Sequence, residues 1–189
     1  MSKRKTYKEL KAAIKKGDIE TVKNKLDGFD VNFMPFTGSP LLVYAIEAKQ
    51  DDIGEMLVQK GADVNAEGWA SDCPIMNAIE SKLPKTVEAI CQDPNLEAKG
   101  MMVIPNTGSA SVTVLRTEKN DALIDLAQKT GHPQIIESVY NQRIRSLERK
   151  AEEIKENAWI CPNKRSAKVS QQAQALKQVR NRNLKQFKP

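Results

Sequence analysis

Side chains able to do covalent or metal chemistry are few in this chain, and their spacing does not bring them together. There is one histidine, His132, and there are three widely spaced cysteines, Cys73, Cys91 and Cys161. With no Cys-x-x-Cys, no His-x-x-x-His and no second histidine, a zinc site is not expected. A general base must lie within hydrogen-bond reach of the proton it takes. His132 instead follows Gly131 in a pair of the kind that shapes a turn. Thr107-Gly108-Ser109 lacks both the Gly-Lys-Ser/Thr ending of a phosphate loop and the helix that should follow it. The expectation is a chain that is not an enzyme, with no cofactor, no metal and no small-molecule substrate.

What the residues offer is binding chemistry, of two kinds. Phe36, Trp69 and Met101 are large apolar residues in loop-like surroundings, with Phe33, Met34 and Val103 beside them. Lys164, Arg165, Lys168, Lys177, Arg180, Arg182, Lys185 and Lys188 form a cationic run with no acidic residue after Glu156. Of the chain's 30 Lys and Arg, these eight follow Glu156, as do none of its 24 Asp and Glu; residues 1–156 therefore carry −2 and the remainder +8. The pI of 9.2 describes that last segment rather than the body of the chain.

The elements that carry these residues are announced by a repeat. Asp30-Val31-Asn32 precedes Asp63-Val64-Asn65 by 33 residues, and Ala13, Ala45, Ala78 and Ala127 are separated by 32, 33 and 49. Four positions after each alanine stands Gly17, Lys49, Lys82 or Gly131, and a second apolar-periodic run begins just beyond. The unit is helix, tight turn, helix, extended loop. Helices are expected over about 7–16 and 18–26, 39–49 and 52–60, 73–81 and 84–92, and 121–130, with another starting at Pro133. Pro84 and Pro133 fall at equivalent first-turn sites, where a missing N–H costs no intrahelical bond. Residues 1–6 are expected to be loose, and Lys8, Lys11 and Lys15 to form the solvated outer side of an N-terminal cap.

At Gln59 to Asn65, reading QKGADVN, the chain resembles the ankyrin-repeat family. Ser39-Pro40-Leu41 and Cys73-Pro74-Ile75 stand where that family has Thr-Pro-Leu, and Gly131-His132 matches its Gly-His turn. The usual histidine after Thr-Pro-Leu is replaced by Leu42 and Met76, and no Asp-Gly loop tip lies between Asn65 and Pro74. The resemblance implies an all-α ankyrin-repeat solenoid with repeats near 7–32, 33–65, 66–98 and 119–142. It also implies a protein-interaction scaffold without chemistry of its own.

Between the third and fourth repeats the period is stretched, and the added residues 101–118 alternate in β-branched character around Pro105-Asn106-Thr107-Gly108. A β-hairpin insertion is expected there. The stripe Ile136, Tyr140, Ile144, Leu147, Ala151 and Ile154 runs on beyond a repeat helix, so something must cover it. The last repeat, a second copy or the chain's own C-terminal extension are the candidates. The domain thus extends over 1–157. Residues 158–189 form a basic extension, helical or disordered, whose stripe Val169, Ala173, Leu176 and Val179 suits a helical hairpin.

Phe36 and Trp69 occupy the same tip position of successive loops and Met101 follows at the next, so the three make a ladder along one edge of the groove. The functional expectation is recognition of another protein through these tips and the concave face. The alternative is electrostatic attachment to nucleic acid or an anionic membrane through the basic extension. An odd cysteine count, the absence of a long apolar run and a polar start together suggest reduced thiols in the cytoplasm. Arg- and Lys-rich C-termini such as 180–188 also resemble signals on bacterial effectors delivered into a host cytosol, many of which carry ankyrin repeats.

Overall fold

The structure, a computed structural model, describes residues 2–36, 38–66, 73–96, 100–103, 114–117, 121–157 and 162–186. The described fold is helical. Helices α1 (Lys3–Lys16) and α2 (Ile19–Leu26), α3 (Leu41–Glu47) and α4 (Asp51–Gln59), and α5 (Pro74–Glu80) and α6 (Pro84–Gln92) form three short pairs. After them come strands β1 (Gly100–Val103) and β2 (Val114–Thr117), then α7 (Asp121–Thr130), α8 (Pro133–Asn157) and α9 (Pro162–Gln186). Helices α1, α3, α5 and α7 contact one another in order, as do α2, α4, α6 and α8. The core lies between these two layers, where Leu10, Ile14, Leu42, Ile46, Leu57, Ile75, Ile79 and Ile90 are fully buried.

Each pair turns the same way for a local reason. Ala13, Ala45, Ala78 and Ala127 are all buried, at the same position of the first helix in each pair. Four residues later Gly17, Lys49, Lys82 and Gly131 have φ of 73°, 55°, 57° and 66°. The left-handed region is cheap for the two glycines and costs each lysine roughly 1 kcal/mol. The Asp-x-Asn loops are then laced together. Asn32 donates from Nδ2 to the Gly61 carbonyl at 3.0 Å and accepts from the Asp63 amide at 2.8 Å, while Asn65 donates to the Asn95 carbonyl at 2.8 Å. Within each loop, Asp30, Asp63 and Asp93 accept from the amide two residues on. The repeated Asp-Val-Asn is thus a structural device, and Asp93-Pro94-Asn95 is its third copy.

The expected ankyrin-repeat solenoid with a β-hairpin insertion requires correction. The helices do not form four like repeats: α7, with 10 residues, is of the same order as the earlier helices, but its partner α8 has 25 and is followed by α9 with another 25. The apolar stripe of α8 is the cause, since it continues well past the length of a repeat helix and packs chiefly on α9. The insertion is not described as a hairpin over 101–118. Only two four-residue segments are described, paired antiparallel with Gly100 opposite Thr117 and Val103 opposite Val114. The residues between them, Pro105-Asn106-Thr107-Gly108 included, lie outside the described residues.

One smaller expectation also changes. Helix α1 begins at Lys3, so residues 3–6 are helical rather than loose. Pro162 opens α9, at the first-turn position that tolerates proline.

Candidate functional site

The described surface most suited to binding lies where α1, α3 and the first interhelical loop meet. Helix α1 buries Tyr7, Leu10, Ala13 and Ile14 and thereby turns Arg4, Lys8, Lys11 and Lys15 outward. Tyr7 reaches across its base, donating from its hydroxyl to the Ser39 carbonyl at 2.5 Å. This bond ties the end of the first loop to α1. Gly38 lies so close that an added Cβ would come within 2.7 Å of both the Tyr7 hydroxyl and Pro35 Cγ, so no larger residue fits there without moving the tip.

The tip itself divides into an anchored part and a free part. Phe33 is half-buried, its ring edge-on to Phe29 at 5.6 Å and to Tyr7 at 6.1 Å, with Lys3 Nζ 5.9 Å from its centroid. Met34 is 50% exposed and Phe36 95% exposed. A groove of about 480 Å³ opens beside Phe36, lined by Pro35 from the loop, Arg4, Lys8 and Lys11 from α1, and Tyr44 from α3.

The two tyrosines of the groove have opposite electrostatic settings. Burial pushes the Tyr7 phenol well above the ordinary 10.0, and the neighbouring Tyr44 hydroxyl adds to the effect. Tyr44 is also pushed up by its partial burial, but hydrogen bonding with Lys11 and Tyr7 and the Lys11 charge outweigh this and hold it below 10.0. Lys11 Nζ donates to the Tyr44 hydroxyl at 2.9 Å and lies 4.0 Å from its ring centroid. The groove is therefore cationic with an aromatic rim, a combination suited to recognition through charge and one apolar anchor.

The sequence-derived ladder is not assembled among the described residues. Trp69 lies outside them. Met101 and Val103 belong to β1, opposite Arg116 and Val114, and nothing is described of their side chains. Of the six residues expected at the partner surface, Phe36 and Met34 are exposed at the tip and Phe33 supports it. Arg4 and Tyr44 carry no mark of a binding role in the sequence, Arg4 standing in the segment expected to be loose. Tyr44 could have been found from its place beside the buried Ala45, where a polar aromatic edges the layer that must stay open.

The basic extension is differently placed. Helix α9 lies along α8 with Ser166 and Ala173 buried and Val169, Leu176, Arg180 and Asn183 half-buried, a three-four alternation that passes through Arg180. Val179, expected in that stripe, is 39% exposed. Arg180 donates to Asn141 Oδ1, Asn183 to the Tyr140 hydroxyl at 2.9 Å, and Lys177 pairs with Glu148 at 2.7 Å. Lys168, Arg182 and Lys185 remain exposed; Lys188 and the side chains of Lys164 and Arg165 lie outside the described residues. On the other side of α8, Arg145 donates to the Cys91 carbonyl at 2.8 Å and Arg149 to the Pro94 carbonyl at 3.3 Å, covering the C-terminal end of α6.

Two residues with chemical potential sit in structural settings. Burial pushes the Cys91 thiol up to about 12, which keeps it protonated and unreactive near neutral pH. His132 accepts the Ile136 amide at its carbonyl, 3.0 Å, and so starts α8. Its buried Nδ1 has no hydrogen-bond partner. Among the described residues no three His, Cys, Asp or Glu side chains gather as a metal would require, and no helix is long and apolar enough to cross a membrane. No protein-family model matches the chain, and no curated protein matches it either.

Proposed function

We propose that the chain is a non-enzymatic protein-interaction module that recognises a partner protein at the groove between α1, α3 and the first loop tip. The observation that carries this reading is Phe36, 95% exposed at the rim of a groove whose lining also holds an aromatic ring and a lysine in contact, Tyr44 and Lys11. An aromatic ring left in water gives the folded chain nothing, whereas covering it on association releases roughly 2 kcal/mol or more. The loop is also held from below by Tyr7, Phe29 and Phe33. Little ordering entropy is lost when an anchor is presented ready-made. The resemblance to ankyrin-repeat proteins, in its Asp-Val-Asn and Gly-His elements, supports the same reading, and by their matching tip positions in the sequence Trp69 and Met101 would extend the surface.

The test is capture of partners from a cell lysate by the intact chain and by a Phe36→Ala, Trp69→Ala double variant, at low and high salt. The variant should lose the salt-resistant partner while keeping its helical circular dichroism. Unaltered capture would remove the loop tips from the binding surface.

A second reading rests on α9, which carries no acidic side chain and exposes Lys168, Arg182 and Lys185. It would hold nucleic acid or an anionic membrane loosely. Such binding would fall steeply with salt and be abolished by Lys168→Glu with Arg182→Glu.

A further inference from the structure

We infer that the groove takes an extended acidic segment of the partner, its carboxylates along Arg4, Lys8 and Lys11 and one apolar side chain lodged between Phe36 and Tyr44. The inference rests on the functional reading above and specifies its ligand.

The row on α1 is spaced for such a ligand. Arg4, Lys8, Lys11 and Lys15 recur every three or four residues, which at about 1.5 Å per residue is a pitch of about 4.5–6 Å. An extended peptide rises about 3.3 Å per residue, so its side chains on one face recur every 6.6 Å or so. Alternate acidic residues thus run nearly in step with the cations, with slack taken up by the long lysine chains.

The row is also electrostatically unspent. None of the ion pairs among the described residues uses Arg4, Lys8, Lys11 or Lys15. Lys11 donates to a phenol rather than a carboxylate. Glu9, the acidic residue of α1, is engaged by Lys25 at 2.6 Å, away from the row. Like charges at such spacing repel one another, so an acidic ligand relieves a cost as well as adding attraction.

The aromatic part favours a peptide over a nucleic acid. Stacking on single-stranded bases needs several open rings in succession. In this groove Tyr7 is buried and Phe33 is engaged inside the loop, which leaves Phe36 and the edge of Tyr44. That is room for one apolar side chain rather than a run of bases.

The experiment is fluorescence anisotropy on the full chain with a short labelled peptide of alternating Glu and Ser ending in Phe. Controls are the same peptide ending in Ala and single-stranded oligothymidylate of equal charge. The Glu/Ser/Phe peptide should bind, weaken with added salt, and weaken further when its Phe is replaced by Ala. Arg4→Glu with Lys8→Glu should lower affinity by about tenfold or more, while Lys168→Glu with Arg182→Glu on α9 should change it by less than about twofold. No binding by the native chain, an unchanged affinity in the α1 variant, or oligothymidylate bound more tightly through α1 would each overturn the inference. If the peptide fails to bind but lysate capture still depends on Phe36, only the acidic ligand is wrong; if capture ignores Phe36, the functional reading itself fails.

Discussion

Two cationic helices, α1 and α9, show how little a charge count says about a binding surface. By sequence α9 is the stronger candidate, since it lies in the segment that carries +8 while the rest of the chain carries −2. In the fold, Lys177 and Arg180 of α9 are spent on Glu148 and Asn141, and the exposed remainder stands on the outer face of a helical hairpin. The row on α1 is shorter but faces a groove with an exposed phenylalanine and a lysine-bound tyrosine. Charge beside an apolar hollow can select a ligand, whereas charge on a convex face mainly attracts one.

The comparison can be broken most forcefully at α9. A chain ending at Asn157 would uncover Tyr140, Ile144, Leu147 and Ala151, and urea unfolding should show a loss on the order of 4 kcal/mol. An unchanged midpoint would mean that α9 is an arm after all. A smaller effect is expected where the outer helices touch. A Cβ added at Gly54 would stand 2.3 Å from Thr86 Oγ1, which is already bonded to the Asp51 carbonyl oxygen at 3.0 Å and its carboxylate at 2.9 Å. Gly54→Ala should therefore cost about 2 kcal/mol, read as a lowered melting temperature, without altering ligand binding at the groove.

Tyr7→Phe sharpens the α1 side. It leaves the Ser39 carbonyl without its donor and should cost about 1–2 kcal/mol by denaturant titration. It should also change the alkaline limb of stability. The Tyr7 phenol is raised above 10.0, so below about pH 10 both folded and unfolded chains keep the proton and nothing changes. Above that pH the unfolded chain ionises first and stability falls. Tyr44, held below 10.0, acts in the opposite sense, adding stability as pH rises through its folded value. Tyr7→Phe should flatten the alkaline loss and Tyr44→Phe should steepen it. The smallest effect is expected at the turns, where Lys82→Gly should raise stability by about 0.5 kcal/mol by relieving a left-handed φ of 57°.

Much of the helical layering was legible because it is local and repeated. The alanines, the turn positions after them and the Asp-Val-Asn loops recur at a spacing near 33 through the first three pairs, and each has one physical task in the fold. The uniform repeat array did not survive, since the sequence shows that the stripe on α8 continues without showing what that does to the repeat. The groove was only half visible. Phe36 stood out as an apolar residue at a tip, but Arg4 and Tyr44 lie 40 positions apart and no period links them. The α9 seam was misjudged at Val179 because a polar Arg180, satisfied by Asn141, occupies the buried side. Apolar periodicity cannot reveal a seam position filled by a hydrogen-bonded arginine.

The most direct measurement compares, for one captured partner protein, its affinity for two variants of the full chain. One carries Phe36→Ala with Lys8→Glu, at the groove; the other carries Lys168→Glu with Arg182→Glu, on α9. The account predicts that the groove variant loses the partner by a factor of about a hundred and that the α9 variant holds it within about twofold. A partner kept by the groove variant and lost by the α9 variant would contradict it and make α9 the recognition element.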